Sequence, residues 1–280
     1  PDDLLAIHRL MLRTAAGRGD LLAVLGLPSH FDSDQAAAYA MTLRATRTEL
    51  DGDATRPPAI GVDELRALSH GALHHPWLVI RRVDEVISFP PDGAVCGQLA
   101  ASALNRGAWL AVANQPLRDV VALGPPGMSP TLQQRQQLFD AQVNLLRSAP
   151  RGFVVGSADT LTPDSPWRPV NVRRLMCLLR RLALRRGATY VFEPNGDTLR
   201  RTVERGFETV LDDLFRRGAF AGAQAEAAYR VVTGDELNTP RRRDLGQFWI
   251  ELKVAPALPM SFLTVRLARS GERLVSREVH

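Results

Sequence analysis

The stretch WRPVNVRRLMCLLRRLALRRGATYVFEPNGDTLRRTVERGFETVLDDLFRRGAFAG, residues 167–222, decides the fold. In its first half Val172, Leu175, Met176, Leu179, Leu182 and Ala183 recur at helical spacing, and Arg173, Arg174, Arg180, Arg181, Arg185 and Arg186 take much of the rest. Gly187 is the expected stop. A short buried strand is expected over Ala188–Phe192, followed by a turn at Pro194, Asn195 and Gly196, with Asp197 capping a second helix. That helix carries Leu199, Val203, Phe207, Val210, Leu211 and Leu214 on one side and ends at Gly218. Two long amphipathic helices around a strand predict an α/β, mixed α+β architecture in which helices flank a layered mixed sheet.

Composition is consistent with that reading. At 280 residues and 45% hydrophobic the chain can bury a sizeable core. No apolar run is long enough to span a membrane, so neither membrane insertion nor a signal peptide is expected. The chain starts at Pro1 inside a helical pattern, and an upstream part is expected to be missing. The two cysteines, Cys96 and Cys177, lack metal-ligand spacing and read as small core residues. The formal charge of +5 comes almost wholly from arginine, because Lys253 is the lone lysine. The arginines are interleaved with acids, as on a solvated or subunit-facing surface.

Upstream, helix is expected over Asp2–Thr14, strand over Leu21–Leu25, and helix from Ser33 or Asp34 to about Leu50, with a polar turn at Asp51–Pro58. Strand Trp77–Arg81 follows Pro76, and the turn Pro90–Gly93 leads into helix Val95–Asn105. Strand Asp119–Leu123, helix Leu132–Asp140 and a short strand containing Asn144 complete the first half. Downstream, Ala227–Val232 reads as strand and Gly234–Arg243 as polar loop. Phe248–Val254 alternates as a half-buried strand, and the alternation from Phe262 to Leu267 gives another.

The succession VNVRRL, VFEPN and GAFAG before AYRV resembles the C-terminal domain of contractile-tail sheath proteins, found in phage tails, pyocin-like particles and related injection systems. One phrase departs from the family. In RGFVVGSADTL, Val155 stands where the family has Trp, and Asp159, with one extra residue, stands where it has Arg. The resemblance implies a sheath core over 1–150, a C-terminal sheath domain over 151–266 and an extended C-terminal strand arm over 267–280. It also implies stacked hexameric rings of identical subunits around an inner tube, with baseplate and cap proteins as further partners and contraction that consumes no nucleotide. Assembly would occur in the bacterial cytoplasm, as part of a phage virion or phage-tail-like particle.

Candidate sites follow. For the arm these are Leu267, Leu274, Val275 and Val279, pairing with a neighbour's sheet edge. For tube- or neighbour-facing positions they are Arg173, Arg174, Arg216, Arg217 and Glu226. His70, His74 and His75 have spacing that could offer two metal ligands on one helical face, but Pro76 disfavours helix there. They read instead as partly exposed side chains ahead of a strand. GPPGMSP at Gly124 lacks the GKS or GKT of a phosphate loop, and at Gly196, where helix N-terminal amides follow a strand, Asp197 already supplies a competing negative charge. No catalytic residue, metal or cofactor is therefore expected. An arginine-rich nucleic-acid binder and a sheath-related cap or baseplate protein are the alternatives. Against the former, no aromatic residues are interleaved for base stacking.

Overall fold

The computed structural model describes residues 2–45, 61–82, 85–124, 129–163, 165–190, 196–257, 263–270 and 273–279. It divides into two compact units, Pro1–Arg174 and Leu175–His280.

The first unit runs α1 (Asp2–Arg18), β1 (Ala23–Gly26), α2 (Ser33–Arg44), a 3-10 segment (Val62–His70), β2 (Gly71–His75), β3 (Leu78–Arg82), β4 (Glu85–Phe89), α3 (Asp92–Asn105), β5 (Val120–Leu123), α4 (Leu132–Asp140), β6 (Val143–Ala149), β7 (Gly152–Val155) and the start of α5 (Val170–Ala188). Its main sheet has the order β1-β2-β6-β7, with β1, β2 and β6 parallel and β7 antiparallel to β6. A second sheet has the order β4-β3-β5. The main sheet is covered on both faces, as a parallel sheet requires. Leu73 of β2 joins Leu5, Leu12, Leu43 and Leu138 from α1, α2 and α4 on one side. Its neighbour Ala72 joins Val95 and Leu99 of α3 with Val155 and Val170 on the other. Polar caps start two of these helices. Asp32 and Gln35 form a reciprocal capping box at α2, and Thr131 and Gln134 form one at α4.

A domain boundary at residue 150 would cut the β6–β7 hairpin, in which Ala149 opposes Gly152. The division therefore falls later, inside α5. Strands β2, β4 and β7 were not among those expected. In β2 every residue is buried, so the segment GALHH has no alternation for a reader to find.

The second unit holds the rest of α5, α6 (Asp197–Arg216), α7 (Ala225–Ala228), β8 (Tyr229–Val232), α8 (Pro240–Asp244), β9 (Gln247–Val254), β10 (Leu263–Ser270) and β11 (Arg273–Val279). Its antiparallel sheet has the order β11-β10-β9-β8. Leu199, Val203, Phe207, Leu211 and Leu214 form the buried stripe of α6. Leu199 and Val203 meet Phe248, Ile250 and Leu267 of the sheet around a small apolar gap. Each such side chain contributes about 1.5–3 kcal/mol when fully buried.

Local departures from expectation have simple causes. Helix α5 continues through Gly187 to Ala188, and Thr189 and Tyr190 form a turn, so the strand expected from Ala188 does not begin there. Residues 191–195, which carry the rest of that strand and the turn at Pro194 and Asn195, lie outside the described residues, as does 51–58. At α6 the cap is Gly196, and Asp197 is the first helical residue with no side-chain capping bond. Its charge still sits at the positive end of the helix dipole.

Candidate subunit-assembly surface

The sheet of the second unit has two edge strands, β8 and β11, each with one strand partner among the described residues. Strand β10 pairs with β9 over Leu263–Ser270 and with β11 over Thr264–Ser270, so β11 closes a hairpin within the chain. In the single chain the expected arm is thus paired and not extended. Leu267 is 1% exposed, opposite Ile250 and Ser276, and belongs to the core. Leu274 and Val279 occupy register positions opposite Arg269 and Thr264. Val275, opposite Ala268, is half exposed at the outer edge strand. Arg180 of α5 donates to the carbonyl of Ser276, at 2.5 Å, which ties β11 to the helical layer.

The outer face of β9 carries Trp249. The guanidinium of Arg242 lies 4.1 Å from its ring centroid and that of Arg266 lies 5.2 Å away. Arg266 is also bonded to Glu251 across the strand pair. Buried Asn238 holds the strand from behind the loop. Its amide donates to the carbonyls of Thr233 and Trp249, and its oxygen accepts from the Trp249 amide at 2.7 Å. The expected polar loop 234–243 therefore contains a structural clamp and the short helix α8.

The arginine candidates separate by environment. Arg173 is 2% exposed, its guanidinium stacked on Trp167 at 4.3 Å and donating to the Ser69 hydroxyl, so it faces the interior of its unit and not a neighbour. Arg174 donates to the Leu99 carbonyl at 2.7 Å and is partly buried. Arg216 and Arg217 stand exposed at the end of α6, ion-paired one turn back to Asp212 and Asp213. Glu226 is exposed on α7.

Glu226 lies on a groove of about 760 Å³ whose other residues had escaped the sequence reading. Glu204, Glu208 and Asp212 form one wall, each a helical turn from the next along α6. Tyr229, Arg230 and Val231 of β8 line the other side. Burial and the nearby carboxylates Asp212, Glu208 and Glu226 raise the Tyr229 phenol. The signal was present in the sequence as an i, i+4, i+8 acidic series beside the apolar stripe.

The histidine expectation is corrected. His70, His74 and His75 are all buried, the last two inside β2, and the His70 ring bonds the Leu21 carbonyl. Burial lowers His74 and His75 to about 4, and His8, bonded to Tyr39, likewise. Among the described residues no three His, Cys, Asp or Glu side chains are grouped to hold a metal. Cys177 is buried as expected, whereas Cys96 is exposed on α3. The two departures from the family phrase are internal. Val155 packs in the core beside α3, and Asp159 pairs with Arg168 at 3.1 Å.

No protein-family model matches the chain, and neither does any curated protein. Solved structures do. A chain of the anti-feeding prophage helical sheath in the contracted state aligns over 86% of this chain and 68% of its own, with 26% identity and a TM-score of 0.64. A chain of the anti-feeding prophage baseplate aligns over 86% and 66%, with 25% identity and a TM-score of 0.64. The contracted sheath complex of an extracellular contractile injection system aligns over 70% and 56%, with 28% identity and a TM-score of 0.63. The chain thus spans about 56–68% of the length of these relatives. The α/β chain, which ends in a four-stranded antiparallel sheet, therefore has the fold of these sheath and baseplate chains. The likeness is that of a diverged relative of contractile-tail sheath proteins.

Proposed function

We propose that this protein polymerises as stacked six-membered rings around an inner tube and contracts to drive that tube into a target envelope. The observation that carries the reading is the likeness, over 86% of the chain, to a sheath subunit in its contracted assembly. The sheet supports it too. Both terminal strands, β8 and β11, have an outer edge with no strand partner among the described residues, and such edges template addition of a strand from another chain. In the assembled sheath the slot beside β10, filled here by the chain's own β11, receives the equivalent strand of a neighbour. The same contacts form in either arrangement, so the exchange costs little and links subunits whose bodies remain free to repack. Contraction draws on interface free energy stored at assembly, and the subunit performs no catalysis and needs no cofactor. Assembly takes place in the bacterial cytoplasm.

Arg216, Arg217 and Glu226 remain candidates for the face turned to the tube or a neighbour. Nucleic acid is not among the proposed partners. Arg173, Arg174 and Arg180 are occupied by internal bonds, which removes much of the cationic face on which that alternative rested. A second reading, a baseplate component built on the sheath fold, is favoured by the likeness to the baseplate chain. Electron microscopy of the full-length protein, alone and with its tube partner, tests both. Rings stacking into long tubes are expected. Single rings that never stack identify a baseplate part, and a monomer under all conditions overturns both readings.

A further inference from the structure

We propose that the groove between α6 and β8 is the receiving half of a contact between two copies of this chain, and that the exposed knob at α8 is the inserted half. The inference deepens the self-assembly proposed above and rests on it.

The groove has a carboxylate wall facing a mixed strand side. Glu204, Glu208 and Asp212 of α6 and Glu226 of α7 supply four carboxylates against the single guanidinium of Arg230, which with Tyr229 and Val231 lines the side of β8, along an edge that no described strand covers. Asp212 is held by Arg216, and Glu204 accepts weakly from Thr233. Glu208 and Glu226 make no hydrogen bond or ion pair with the described residues. On a chain of net charge +5, this concentration of acid on one wall fits a basic occupant carrying an apolar tip.

The second unit presents such an occupant. In the segment PRRRDL, Arg241 and Arg243 are exposed, and Leu245 is 62% exposed just past the end of α8. The middle arginine is used differently. Arg242 lies on Trp249 and donates to the Leu237 carbonyl, which fastens the knob to β9. Being fastened there, it does not fill its own groove, whose lining contains no residue of α8. Knob and groove are different surfaces of one unit. A copy that inserts its knob leaves its own groove open for the next, so the contact is head-to-tail and propagates into rings or filaments.

Charge exchange tests this in the full chain. Glu208→Arg with Glu226→Arg makes a basic groove, and Arg241→Glu with Arg243→Glu makes an acidic knob. All four positions lie at the surface, and circular dichroism checks that each variant folds. Each variant alone is expected to lose self-association at least about tenfold in sedimentation velocity. An equimolar mixture is expected to recover it, because each acidic knob then meets a basic groove and each basic knob an acidic one. Leu245→Asp is expected to weaken assembly without rescue by either partner. If wild type assembles and folded variants assemble equally well, or the mixture does not recover, the groove contact is overturned while the sheath reading stands. If wild type never self-associates, both fall.

Discussion

Asn144 and Asn238 do for the two units what no apolar residue could. The Asn144 amide donates to the carbonyls of Leu73 and Asp159, and its oxygen accepts from the Asp159 amide and the Ser157 hydroxyl, so one side chain joins β2, β6 and the segment after β7. Asn144→Ala would leave buried donors and acceptors unmatched, and we expect it to cost about 3 kcal/mol in urea unfolding. A loss below about 1 kcal/mol would show that water replaces the amide. The buried histidines set a pH dependence. With folded-state values near 4 and an unfolded value near 6.5, the unfolded chain binds more protons between those limits. Their contribution to stability is therefore complete above about pH 6.5 and is lost as pH falls toward 4, at about 1.4 kcal/mol per pH unit for each histidine. Asp92 near His8 and Asp32 near His75 oppose the shift without reversing it. Calorimetry from pH 7.5 to 4.5 should show a falling midpoint, and a flat profile would mean that these imidazoles stay hydrated.

Helix α6 shows what was legible in the sequence and what was not. Its apolar stripe was visible as Leu199, Val203, Phe207, Leu211 and Leu214, because 3.6-residue periodicity survives any tertiary context. The adjacent acidic series was equally regular, but its meaning depends on the placement of β8, which periodicity cannot supply. Strand β2 failed to register for the converse reason: buried on both faces, it has no polar phase, and its histidines look exposed on paper. The place of the arm in a single chain was not legible, because alternation announces a strand without naming its partner, and β11 here pairs with β10 of its own chain. Gly206 illustrates a further hidden constraint, since a Cβ there would lie 2.5 Å from the Tyr190 hydroxyl and touch little else. Gly206→Ala alone is expected to bring no stabilisation. In a Tyr190→Phe background the same change should add about 1 kcal/mol, the helix-propensity difference, read from thermal melts. Equal gains in both backgrounds would show that the tyrosine moves aside freely.

For the molecule as a whole, the sheet edge governs how strand sharing should be tested. Deletion from Leu267 onward removes a core residue and half of β10, so loss of assembly there would report only unfolding. Removal of 273–280 spares the β9–β10 pair. The shortened protein is expected to retain a cooperative melt yet fail to form tubes, and added peptide matching 273–280 should bind it. Normal tube formation by the shortened protein would assign the connection to the β8 edge instead.

Of the four tryptophans, Trp77, Trp109 and Trp167 belong to the first unit, and Trp249 alone stands in the second, between two guanidinium groups on the sheet's outer face. Replacing the other three with phenylalanine would leave a chain whose near-ultraviolet emission comes from the half proposed to join its neighbours. Colour and quenching of that lone indole could then follow subunit joining and firing in real time, without any attached dye.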